Sequence, residues 1–117
     1  MTRFITLVFL AALACAQTPE GTAAKGKELY LNNSCYACHG FSGQNGPGAR
    51  LVPMKTAQAA FIAYVRNPPR PDQMPSYSVK VLPDAAMADL YAYIKSLPDS
   101  AQPVKSIPLL NQIAAEK

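Results

Sequence analysis

Two cysteines three positions apart, followed at once by the chain's single histidine, limit what this sequence can fold into more than any other feature. The stretch is Cys35-Tyr36-Ala37-Cys38-His39. Its spacing, C-x-x-C-H, is that of c-type haem attachment. The spacing has a mechanical reason. On one helical turn, residues i and i+3 share a face about 5 to 6 Å apart, so two thiols can each add to one vinyl group of a porphyrin. His39 is then held beneath the iron. Three plainer readings compete. A disulfide between Cys35 and Cys38 would close a loop too short to restrict the unfolded chain much. A thioredoxin-like redox pair needs a βαβ context, which the proline-rich, helix-biased surroundings do not offer. Zinc needs four ligands, and beyond Cys15 the chain offers Cys35, Cys38 and His39 alone among its cysteines and histidines.

Half of the 117 residues are apolar and 15% are charged, so the chain should fold, into one domain rather than two. Eleven prolines predict short helices joined by stiff loops. Eleven basic against seven acidic side chains give +4, well short of the clustered basic stripe of a nucleic-acid binder. An acidic protein partner fits that charge better.

Residues 1–16 read as an export signal. Arg3 supplies positive charge, Phe4 to Ala14 form an apolar run, and Ala14-Cys15-Ala16 matches A-x-A, so the mature chain is expected to start at Gln17. The run is too short to span a bilayer. Cys15 is alternatively the lipidated cysteine of a lipoprotein, which would tether the domain to a membrane surface, although Leu13 stands one position later than usual for that signal. A mature chain of about 100 residues buries only about two-thirds of its unfolded surface, so a further stabilising element is expected. A covalent haem would supply it.

The expected class is all-α, three to four short helices, with the domain over residues 17–98 and a proline-containing tail over 99–117. Thr22 to about Asn32 reads as a helix with Thr22 as N-cap and Leu29 and Tyr30 inward. Asn32, Asn33 and Ser34 favour a turn. Gly40 to Leu51 reads as an irregular loop. Thr56 to Arg66 is a second helix, with Ala57, Phe61 and Val65 on one face, stopped by Pro68-Pro69. Asp84 caps a third, to about Leu97, on which Leu90, Tyr93, Ile94 and Leu97 keep the helical period. No alternating run supports a strand. The tail, with its apolar patch Ile107 to Leu110, is expected to wrap the surface or serve a partner.

From about Thr22 to Leu97 the chain resembles the class I c-type cytochromes, small monohaem bacterial electron carriers. The resemblance is carried by Gly26, Leu29 and Tyr30 leading into Cys35 to Gly40, and by Asp89-Leu90-Tyr91-Ala92-Tyr93-Ile94-Lys95. It implies one covalent haem c, attached outside the cytoplasm through Cys35 and Cys38, with His39 on the iron. It also implies that the two terminal helices cross, with Gly26 and Tyr30 against Leu90, Tyr93 and Ile94. A ligating histidine donates its other ring N–H to a fixed acceptor. By resemblance that acceptor is the Pro47 carbonyl.

Outside the signal, three methionines could be the sixth ligand. Met87 lies in the first turn of the strongest helix and reads as core. Met54 follows His39 closely, before the chain has passed around the ring. Met74 lies in Arg70-Pro71-Asp72-Gln73-Met74-Pro75, where prolines hold the loop in one shape, and it matches the family's Met-Pro ligand loop. A gap-filling core role is the plain alternative for Met74. Ligation by His39 and Met74 would fill both axial positions, raise the potential and leave no open site. The resemblance thus implies a one-electron carrier in the periplasm, not an enzyme by itself. An electron-accepting subunit of an exported dehydrogenase complex is the alternative, and a haem enzyme or gas-binding protein with an open axial position ranks third. Lys25, Lys27, Lys55, Arg66, Arg70 and Lys80 flank the expected haem-binding segments and would favour an acidic redox partner.

Overall fold

A computed structural model describes residues 19–99 and 107–116; the expected export signal and Cys15 lie outside them. The chain is helical, with α1 (Ala23–Asn32), α2 (Cys35–His39), α3 (Gln58–Arg66), α4 (Asp84–Ser96) and α5 (Pro108–Ala115), and no strand occurs among the described residues. No described helix is long and apolar enough to cross a membrane. The class expected from the sequence is therefore the class observed, with α2 and α5 added to the three helices read from periodicity.

The main interface is α1 on α4, and a missing side chain makes it possible. A Cβ at Gly26 would overlap the Asp89 carbonyl and come within 2.6 Å of Tyr93 Cβ. Glycine lets the two backbones approach, and Tyr30, one turn further on, then meets Tyr93 edge to face with ring centroids 5.4 Å apart. Such a pair adds about 0.5 to 1.5 kcal/mol beyond the area it buries. Around it, Val52, Phe61, Val65, Leu82, Met87, Leu90 and Ile94 complete the buried core. Met87 is 0% exposed, as its place in the first turn of α4 suggested.

Three local readings are corrected. Thr22 occupies the N-cap of α1 but its side chain caps nothing; its N–H instead donates to Asp89 Oδ1 on α4 at 2.5 Å. Asp84 is the first residue of α4, not its cap, because Pro83 takes that position and the carboxylate is drawn aside to Arg66. Ala57 precedes α3 and is exposed, leaving Phe61 and Val65 to carry the buried face. In the tail, Pro108 opens α5, whose Leu109, Leu110 and Ile113 are exposed. A proline at the first helical position is a helix start, since it forfeits no intrahelical bond there.

Candidate functional site

The turn after α1 sets up the motif. Asn33 caps α1 with its side-chain amide, which donates to the Leu29 carbonyl at 2.9 Å, and Ser34 takes a left-handed conformation, φ 56°. That reversal starts α2, a single short helix that places Cys35 and Cys38 one turn apart, followed by His39. Cys35 is half-buried against the core, which pushes its thiol pKa up, while Cys38 is exposed; both thiols are free. The end of α2 is tied back to α1 by the Tyr30 hydroxyl, which donates to the Gly40 carbonyl at 2.7 Å.

The glycine-rich loop folds over this helix. Gly48 N–H donates to the Cys38 carbonyl at 2.6 Å, and a Cβ at Gly46 would overlap that same carbonyl. The close approach brings the next carbonyl round to the histidine: His39 Nδ1 lies 2.7 Å from Ala49 O. A carbonyl can only accept, so Nδ1 carries a proton, and in the neutral ring Nε2 is the nitrogen with the free lone pair. The acceptor is thus Ala49, two residues beyond the Pro47 carbonyl suggested by resemblance. The shift has a local cause, because the loop is pinned to α2 through Gly48 rather than through Pro47.

Met74 lies in a turn closed by its own N–H donating to the Arg70 carbonyl at 2.9 Å, and it packs half-buried on the core that also receives Cys35. Met54 is half-buried against the same core, so burial alone does not separate the two. Met87 is consumed by the core.

Two residues emerge that the sequence reading passed over. Tyr77, three residues after Met74, packs half-buried against the same core as Cys35, its hydroxyl donates to the Asn33 carbonyl at 3.5 Å, and burial pushes its phenol pKa up. Its signal was an aromatic just past a Met-Pro pair. Arg50 clasps the glycine-rich loop to the end of α4: its guanidinium donates to Gln44 Oε1 at 3.0 Å and to Asp99 Oδ1 at 2.8 Å, while Gln44 Nε2 donates to the Pro98 carbonyl at 2.7 Å. A solitary arginine in a Gly/Pro loop was the available hint. The basic set also needs revision, since Arg66 is engaged by Asp84 whereas Lys25, Lys27, Lys55, Arg70 and Lys80 are exposed.

The donors present fit a thioether-linked porphyrin. Two free thiols and an imidazole oriented by a carbonyl share one short helix, and Gly46 and Gly48 let the loop approach the Cys38 carbonyl closely. By contrast, no group of three or more His, Cys, Asp or Glu residues is clustered to hold a bare metal ion among the described residues.

Residues 21–94 match the family model described as cytochrome C oxidase, cbb3-type, subunit III. No curated protein and no solved structure matches the chain.

Proposed function

Because the chain belongs to that family of c-type cytochrome domains, which carry covalently bound haem c, we propose that it is an exported monohaem one-electron carrier, ligated by His39 and Met74, and not itself an enzyme. Domains of this family are typically exported and generally carry electrons. When bound, the haem supplies a reversible one-electron couple at its iron.

One observation carries the assignment of residues. His39 Nδ1 is fixed by the Ala49 carbonyl, which leaves Nε2 for a metal on the turn that also offers Cys35 and Cys38. Cys35 and Cys38 would hold the haem by thioether bonds, and His39 would be one ligand to its iron. Met74 would supply the second ligand: its side chain is half-buried on an otherwise exposed loop, which is closed by backbone bonds to the Arg70 carbonyl. Cys35 sits at the edge of the apolar core, against which Tyr36, Leu51, Met54 and Tyr77 also pack. Filling both axial positions favours electron transfer over substrate binding.

The test is Met74→Ala. The covalent haem should stay, giving an unchanged c-type pyridine haemochrome, while the weak red-end charge-transfer band of the oxidised protein disappears. The potential should fall, because a soft ligand that favours ferrous iron is lost. Met54→Ala and Met87→Ala should keep the band. If Met54→Ala loses it instead, the ligand is Met54.

A second reading, a haem-bearing subunit of a larger redox complex, is favoured by the family description itself. Recovery of the chain from its source in a stable complex with a catalytic subunit would select it; recovery as a free monomer would select the soluble carrier.

A further inference from the structure

The last residue of α3, Arg66, holds two segments at once. Its Nη1 donates to the Tyr77 carbonyl at 2.8 Å and its Nη2 to Asp84 Oδ1 at 2.7 Å. Tyr77 closes the loop that contains Met74; Asp84 opens α4. The arginine side chain is only 15% exposed, against 65% for Asp84. This is not an ordinary surface pair. The bond to Tyr77 lies in a part-buried setting, where an unmet carbonyl is costly. The backbone alongside repeats the tether, since Tyr77 N–H donates to the Val65 carbonyl at 3.2 Å. At the other end, Gln73 and Met74 both donate to the Arg70 carbonyl, at 3.0 and 2.9 Å. One end of the loop is therefore held by a local turn, and the far end by Arg66 and its neighbour Val65.

We propose that Arg66 is the positioning residue for Met74: it latches loop 70–77 to α3 and α4 together and so sets how often the methionine leaves the iron. The inference rests on the reading of Met74 as sixth ligand. A guanidinium fork can donate to two acceptors in fixed directions. Lysine offers a point charge on a flexible stem and cannot reproduce that bridge.

Loop opening can be counted with an external ligand. The apparent affinity of a competitor for a site that is only fractionally open scales with the open fraction. The experiment titrates the ferric holoprotein with imidazole and follows loss of the sulfur-to-iron charge-transfer band. Arg66→Ala should bind imidazole about tenfold more tightly than the parent, because the open fraction rises by that factor. Asp84→Asn, which leaves the guanidinium on the Tyr77 carbonyl, should tighten binding about twofold, and Arg66→Lys should fall between. If Arg66→Ala does not accumulate as holoprotein, the order of the other two carries the test. Asp89→Ala serves as control: it cuts the Thr22 tether and destabilises the fold without touching the loop. Its imidazole affinity should match the parent's.

Unchanged affinity in the Arg66 variants overturns the latch, and so does equal tightening in Asp89→Ala, which would make the effect one of general stability. The premise fails separately. A band that survives Met74→Ala removes Met74 from the iron whatever the Arg66 variants do.

Discussion

Tyr30 shows how one side chain serves packing and site together. It is 1% exposed, lies edge-on to Tyr93, and donates its hydroxyl proton to the carbonyl of Gly40, next to His39. Burial, helped by the proximity of Cys35 and Tyr93, pushes its pKa up from 10.0 to about 12. The unfolded phenol ionises near the lower value while the folded one keeps its proton to the higher. Between them the unfolded state binds fewer protons, so stability falls as pH rises. Denaturant unfolding midpoints should therefore decline from about pH 10 upward, more gently in Tyr30→Phe, which loses about 1 kcal/mol at neutral pH with its hydrogen bond. Parallel slopes would refute the assignment. Tyr30 was legible as an inward residue because helical spacing alone decides it. The Ala49 acceptor was not, because the direction of a loop carbonyl depends on how Gly46 and Gly48 settle on the Cys38 carbonyl. Nor was the capture of Arg66, whose partner Asp84 lies eighteen positions away.

Among the elements, the crossing of α1 and α4 is the most exacting. The Asp89 carbonyl occupies the space a Cβ would need at Gly26, and it belongs to a helix backbone that cannot swing aside. Gly26→Ala should thus cost about 3 kcal/mol, toward the upper end for overpacking, despite alanine's better helix propensity. Thermal unfolding of the holoprotein measures it, and a gain in stability would mean that the helices do not meet there. Periodicity found α1, α3 and α4, since each buries one stripe, but it misplaced the first residues of α3 and α4. A cap answers to long-range contacts as well as to local sequence: the Asp84 carboxylate is taken by Arg66. The helix α2 was legible from its spacing alone. α5 was hidden by proline count, although Pro108 stands where a helix tolerates proline best.

At the scale of the molecule, the core is modest. Among the described residues eight buried side chains form it, with Cys35, Met54 and Met74 packed at its edge. Covalent haem enlarges that core, so replacing Cys35 and Cys38 together with Ala should abolish haem staining on a denaturing gel and leave a chain with little cooperative unfolding by circular dichroism. A haem-free double variant that still unfolds cooperatively would show the protein core to be sufficient. Exposed Lys25, Lys27, Lys55, Arg70 and Lys80 carry the positive charge outward. Association with an acidic redox partner should accordingly slow as salt rises, with screening already down to about 8 Å at physiological ionic strength; a rate independent of salt in stopped-flow mixing would leave the lysines as ordinary solvated charges. The pairing of α1 with α4 also fixes an order of events. About fifty residues separate these helices, and closing such a loop costs roughly 3.5 kcal/mol of chain entropy before any contact forms. Until α4 has formed, Gly26 and Tyr30 have no helix to rest on. The Cys35–His39 turn is local and needs no such wait. An enzyme joining haem to Cys35 and Cys38 would therefore meet them on an open chain, with the α1–α4 closure to follow.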